Sequence, residues 1–176
     1  MLVEIQNTDL TIGNENILKN INFNLSKGEM KFLIGKTGSG KTTFINSIFG
    51  NLKPSKSDLF KVIDYDINNL SEYNIPYLRR KIGFVFQDFK LLSDRSISDN
   101  LRFVLEATGW KEINKINNRI TKVLELVGFD LPTHKFPDEL SGGEQQRVAI
   151  ARSMLNNPEL ITVSYTHLRA HETILD

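Results

Sequence analysis

Cysteine is absent from this chain of 176 residues, which excludes a disulfide framework and any thiolate metal site. Long apolar runs are missing too, since none approaches the roughly 18 residues that a membrane span requires. The opening MLVEIQNTDL has no basic segment leading into an apolar one, so neither a spanning helix nor an export signal is expected. An excess of either charge is lacking: 22 basic and 21 acidic residues leave a formal net charge of +1, and nothing electrostatic argues for a nucleic acid partner. The one dense basic run, Arg79, Arg80 and Lys81, reads as a solvated face or a place for a partner to touch. Internal repeats and low-complexity tracts are absent. What remains, 40% hydrophobic and 24% charged residues, is an ordinary globular composition with enough chain for one domain, with or without a subdomain.

Periodicity divides the chain. NINFNLS alternates, with Ile21, Phe23 and Leu25 on one face and Asn20, Asn22 and Asn24 on the other, the period of a half-buried strand. After a turn at Lys27 and Gly28, MKFLI (Met30 to Ile34) predicts a strand buried in the middle of a sheet. Phe44, Ile45, Ile48 and Phe49 predict one face of a helix that Gly50 terminates. IGFVF, ending at Phe86, predicts a second buried strand. From Ser96 onward, Ile97, Leu101, Val104 and Leu105, then Ile113, Ile116, Ile120, Val123, Leu124 and Val127, recur at helical spacing until Gly128. Val148, Ile150, Ala151, Met154 and Leu155 mark a third helix, opening near Ser141 and stopping before Pro158. Strands and helices alternate, helices are inserted, and the chain then returns to the sheet.

GKTGSGKT fits G-x-x-x-x-G-K-[ST] in full and lies between a predicted strand and a predicted helix, the context such a loop requires. Gly35, Lys36, Thr37, Gly38, Ser39, Gly40, Lys41, Thr42 and Thr43 are therefore the candidate phosphate cradle. Its glycines let successive amides turn toward one anion, and the following helix adds its positive end. Lys41 would reach the β and γ phosphates and Thr42 would hold Mg²⁺. A second helix start, Ser141, Gly142 and Gly143, offers free amides of the same kind. Taken alone it reads first as a plain helix cap with Glu144 at the first turn.

GKTGSGKTT, FVFQD and LSGGEQQRVAIARSMLNNP, in this order and spacing, resemble the nucleotide-binding subunit of ATP-binding cassette (ABC) transporters, over residues 2 to about 161. The resemblance implies an α/β fold: a P-loop NTPase, the ABC-type ATPase domain, with a parallel-sheet core and an inserted helical subdomain at about residues 88–140. It implies ATP and Mg²⁺ as ligands and an ATP-dependent homodimer in which residues 141–143 serve the partner copy's ATP. Lys41 and Gln87 would then be catalytic, with Gln87 touching Mg²⁺ and the attacking water. FQDFKLLSDRSISDNL, above all Asp94 and Arg95, resembles the FtsE branch of cell-division ATPases. That implies an FtsX-like integral membrane partner, a docking groove along residues 88–100, and a cytoplasmic place at the inner face of the plasma membrane. Lipoprotein-releasing or macrolide-export ATPases, and a nucleotide switch without turnover, remain alternatives.

Two departures from the family stand out. No aromatic residue in residues 1–20 offers the adenine a stacking surface, leaving Ile12 or a neighbour as an apolar platform. The family's Asp and Glu at the end of the next strand fall on Ser164 and Tyr165, and neither a hydroxyl nor a phenol with pKa about 10 replaces those carboxylates. Residues 162–176 are therefore expected to be foreign to the family, leaving the sheet without its central strand and hydrolysis stalled. His167 and His171 are four apart but lack a third ligand, and His134 reads as a surface residue.

Overall fold

The structure is a computed structural model that describes residues 1–164; Tyr165, His167 and His171 lie outside the described residues. Strands β1 (Val3–Ile12), β2 (Glu15–Leu25), β3 (Leu59–Val62) and β4 (Tyr65–Asp66) form an antiparallel sheet in the order β2-β1-β3-β4. The alternation read in β2 holds: Leu25 is buried, Ile21 and Phe23 are half-buried, and the intervening asparagines face solvent. The β1–β2 ladder shifts register three times between Ile5 and Thr11, which bends the pair over its contents. Helix α1 (Lys41–Ile48) packs beneath this sheet, with Phe44 edge-on to Phe23 at 5.1 Å between ring centroids. Gly50, at φ 69, ends it as the sequence predicts.

Helix α2 (Ile75–Arg80) leads into β5 (Ile82–Val85), and β6 (Leu160–Val163) lies parallel to β5, paired from Ile82↔Leu160 to Val85↔Val163. This pair is the parallel core that the sequence predicts. It meets the antiparallel sheet across α1, where Phe49 stands edge-on to Phe84 at 5.0 Å. Phe44, Ile48, Phe49, Ile82 and Leu160 belong to one buried cluster with Val3, Ile5 and Phe60. The P-loop helix is thus gripped between two sheets, which fixes the direction of its N-terminus.

Between β5 and β6 come α3 (Ile97–Ala107), α4 (Ile113–Leu126), a short 3₁₀ turn at Pro137–Glu139 and α5 (Gly142–Met154). Ser96 caps α3 by accepting from the Asp99 amide at 3.1 Å. Ile97, Leu101 and Leu105 of α3 pack against Ile116, Ile120 and Val123 of α4 and Val148 and Ala151 of α5 in a second buried cluster. The helical periodicity in the sequence was the signal of this cluster.

Two expectations need correction. Met30, Phe32, Leu33 and Ile34 form no strand. They are irregular and open to solvent, Ile34 at 92% and Met30 at 76% exposure. A strand is stabilised by the ladders on its flanks, and no strand among the described residues lies beside this one. The second concerns β6: it forms, running in register through Thr162 and Val163 across the point where family character was expected to end. The Ser164 amide continues the ladder by donating to the Val85 carbonyl at 3.1 Å.

Candidate functional site

Residues 35–43 wrap the N-terminus of α1. Gly38 (φ 81) and Gly40 (φ 87) both sit in the left-handed region that glycine alone enters freely. Together they turn the chain back on itself, with the Ser39 amide donating to the Lys36 carbonyl at 3.2 Å. The first helical bond is Phe44 N–H to Gly40 C=O at 2.9 Å. Gly38, Gly40, Lys41, Thr42 and Thr43 therefore keep backbone N–H groups with no acceptor among the described residues. No side chain caps α1 and no acidic residue stands in its first turn. Free amides, an uncapped helix start and the absence of an acidic residue in its first turn make this a candidate anion site.

Lys41 closes the loop. Its Nζ donates to the carbonyls of Gly35 at 2.6 Å and Lys36 at 2.9 Å. An ammonium has three protons, so one remains for an incoming oxygen even while both carbonyls are held. Gly35 leaves room for the turn, since a Cβ there would come within 2.6 Å of Ser39 Oγ. Thr42 is exposed on the first turn of α1 with its hydroxyl free for a hard cation. The residues present fit a phosphate chain and its magnesium: free amides, an ammonium and an exposed hydroxyl belong to one loop and the first turn of its helix.

Ser141 N-caps α5. Its hydroxyl accepts from the Glu144 amide at 3.4 Å, while the Glu144 carboxylate accepts from the Ser141 amide and hydroxyl, each at 2.7 Å. This is the reciprocal capping box that the simpler reading of S-G-G-E called for. Those two bonds, the side-chain one first, hold the Glu144 carboxyl below the usual glutamate range. Gly142 and Gly143 are exposed, and their amides are without acceptors among the described residues. The cap and the anion site are compatible, because the box consumes the Ser141 and Glu144 amides and leaves the two glycines.

Gln87 is exposed just past β5. Because β5 and β6 are parallel, their carboxyl ends open side by side, bringing the Phe86–Gln87 corner next to Ser164, the side of a parallel sheet where ligands bind. No hydrogen bond or ion pair among the described residues joins Gln87 or residues 141–143 to residues 35–43. The phosphate loop is assembled within this chain. The other two segments make no hydrogen bond to it among the described residues.

Beyond Gln87 lies a cleft of about 520 Å³ lined by Arg79, Arg80, Phe86, Lys90, Leu92 and Phe103 among others. Phe86, Leu92 and Phe103 expose apolar surface there. Arg95 lays its guanidinium 4.5 Å over the Phe103 ring. The basic run is only partly a solvated face. Arg79 donates to the Phe49 carbonyl at 3.2 Å and to the Asn51 side chain, and Lys81 bridges Asp64 and Glu159 at 3.0 Å each. His134 is exposed, as the sequence predicts. Sequence reasoning missed Arg152 and Asn100, which brace the loop after Gln87; a basic residue in a helix's last turn ordinarily signals nothing beyond charge compensation there.

The family described as "ABC transporter" matches residues 18–163. The chain is 43% identical over 144 residues to the cell division ATP-binding protein FtsE of Bacillus subtilis, covering 82% of this chain and 62% of that protein. It is 46% identical over 141 residues to the FtsE of Mycobacterium tuberculosis, covering 80% and 60%. A methionine import ATP-binding protein, MetN of Helicobacter pylori, is 40% identical over 162 residues, 92% of this chain and 49% of that one. The chain thus spans less than two thirds of the length of these relatives. Among solved structures, a dimeric bacterial ABC transporter cassette matches 92% of this chain and 72% of its own with a TM-score of 0.77 at 33% identity. A post-hydrolysis dimer of an ATP-binding cassette bound to ADP and Pi matches with a TM-score of 0.76 over the same shares.

Proposed function

The chain belongs to the ABC transporter family of ATP-binding proteins, and from that membership we propose that it is the ATP-binding and ATP-hydrolysing subunit of an FtsE/FtsX-type complex acting in bacterial cell division. The observation that carries this reading is the cradle at residues 35–43, with its unpaired amides and the inward ammonium of Lys41. Lys41 exchanges its loop carbonyls for β- and γ-phosphate oxygens, and the amides of Gly38 and Gly40 follow the same chain of charge. Thr42 and Gln87 are the groups that would hold Mg²⁺, which supplies charge neutralisation on the phosphates when bound. Gly142 and Gly143 present their amides to the ATP of a second copy, so the γ-phosphate bridges two chains and dimer closure depends on it. That a relative of 33% identity is a dimeric cassette supports this arrangement.

The cell-division assignment draws on two relatives named for that process and on Asp94 and Arg95 beside the cleft. An apolar rim of Phe86, Leu92 and Phe103 with Arg79, Arg80 and Lys90 around it suits an amphipathic helix of an FtsX-like membrane partner. On this reading the subunit works in the cytoplasm at the inner face of the plasma membrane. Residues 1–161 are then the cassette, with its helical subdomain at about residues 88–140, and the foreign tail assigned to residues 162–176 begins inside β6, whose pairing runs on to Val163. Charge reversal at Asp94 or Arg95 weakens capture of the FtsX-type partner by roughly tenfold, as for other rim charges, with ATP affinity unchanged. Equal capture of both variants in a pull-down rejects the assignment.

One observation favours a second reading. Ser164 follows β6 directly, its amide bonded to the Val85 carbonyl, at a position where a carboxylate would be needed. Without it the same cradle binds ATP and acts as a switch without turnover. Phosphate release by the purified chain above that of its Lys41→Ala variant excludes this alternative.

A further inference from the structure

The turn after Gln87 is in an unfavourable conformation. Phe89 (φ 55) and Lys90 (φ 49) occupy the left-handed region in succession, without a glycine. Side chains rarely adopt it, and two in a row persist only where the surroundings impose them. Local bonds contribute: the Phe89 amide reaches the Phe86 carbonyl at 3.1 Å, and Lys90 pairs with Asp88 at 2.7 Å. The carbonyls of both residues, however, turn inward onto a single side chain. Arg152 donates from Nη2 to the Phe89 carbonyl at 2.5 Å and from Nη1 to the Lys90 carbonyl at 2.6 Å.

Arg152 is half-buried and has no carboxylate partner among the described residues. Ion pairing therefore does not account for it. A guanidinium withdrawn from water in this way is compensated by the carbonyls it holds. It reaches them because α5 lies hard against β5: a Cβ on Gly83 would meet the Ser153 carbonyl at 2.6 Å. The far side of the turn is fixed as well. Asn100, buried on α3, accepts from the Leu92 amide at 2.7 Å and donates to the carbonyls of Leu92, Arg95 and Ser96 at 3.0 to 3.1 Å. The α3 and α5 ends are tied by Thr108 Oγ1 to Asn156 Oδ1 at 3.0 Å.

We infer that Arg152 is a positioning residue: it clamps the Phe89–Lys90 turn to α5, so that the segment bearing Gln87 and the helix beginning at Ser141 move as one body between the nucleotide seam and the partner cleft. The transmitting part of this inference rests on the nucleotide reading proposed above; the clamp itself does not. Two lengths of chain 62 residues apart are thereby coupled through one side chain. Nucleotide at residues 141–143 and occupancy of the cleft then bias the same element.

The cysteine-free chain allows a single reporter, Ser93→Cys carrying an environment-sensitive fluorophore. Arg152→Lys keeps the charge but cannot span both carbonyls. It is expected to raise amide hydrogen exchange in residues 88–92 by roughly tenfold, a local opening. Adding Lys90→Gly, which sits at φ 49 without strain, restores most of that protection. The reporter's response to Mg·ATP falls to about a third or less, while ATP affinity by calorimetry stays within about twofold. Unchanged exchange in both Arg152→Lys and Arg152→Met overturns the clamp. ATP binding that never moves the reporter in the Arg152 chain overturns its transmitting role and leaves the nucleotide reading intact. Absence of ATP binding refutes that reading and the transmitting role with it, and the exchange data alone then decide the clamp.

Discussion

At the scale of single residues, the cradle imposes different demands on two glycines that look alike in GKTGSGKT. Both Gly38 and Gly40 have positive φ, but a Cβ on Gly38 would meet nothing within 4 Å, whereas one on Gly40 would stand 2.8 Å from Leu18 Cδ2 and 3.2 Å from Ile17 Cγ2. Gly38→Ala carries backbone strain of about 1 kcal/mol. Gly40→Ala adds displacement of β2 side chains, so its total is about 2–3 kcal/mol. At about 2–4 °C per kcal/mol for a chain of this size, thermal melts followed by circular dichroism should show Gly40→Ala several degrees below Gly38→Ala; equal midpoints contradict the close packing of the loop on β2. The phosphate loop was legible because its chemistry is local and the residues that make it are adjacent. Arg152 was not, because its partners are backbone carbonyls 62 and 63 residues distant, and a carbonyl carries no residue identity.

At the scale of elements, periodicity served where an element is defined by its own residues. Ser96 and Ser141 cap α3 and α5 as their sequences suggest, and Ile97, Leu101 and Leu105 face a core. It failed at Met30 to Ile34, because a buried strand is specified by what lies on either side of it and a five-residue apolar run does not name its neighbours. The start of α5 yields a pH prediction. The folded-state pKa of Glu144 is depressed by its two bonds to Ser141. The capping box therefore contributes in full above the ordinary glutamate value of about 4.3, and its contribution is lost as pH falls through the lower folded value. Carboxyl NMR titration should give Glu144 a midpoint below the ordinary value, and Ser141→Ala should return it upward. A midpoint unmoved by that substitution means Ser141 is not the cause.

At the scale of the whole molecule, two buried clusters organise the chain, one around α1 between the sheets and one among α3, α4 and α5. The candidate nucleotide groups are divided between them, Lys41 with the first and Ser141 with the second. No hydrogen bond joins the two sites among the described residues, and in the function proposed above a second copy unites them. Light scattering should therefore register a monomer without nucleotide and a dimer with Mg·ATP, and a mass unaffected by ATP contradicts that division of labour. The relatives' names could not be read from composition or periodicity. Nor could the dimer, because S-G-G-E alone reads as a plain helix cap and a shared triphosphate was implied only by resemblance to the family.

The account's central claim is that main-chain amides at the start of α1, with the Lys41 ammonium, hold the end of a triphosphate. Isothermal titration of Mg·ATP into the folded chain and into Lys41→Ala tests it most directly. A charge-assisted hydrogen bond contributes about 1.5–3 kcal/mol, so the substitution should weaken binding by roughly ten- to a hundredfold while the melting profile stays in place, since Lys41 donates only to exposed loop carbonyls. No binding heat in a well-folded sample, or equal affinities for the two chains, would contradict the claim.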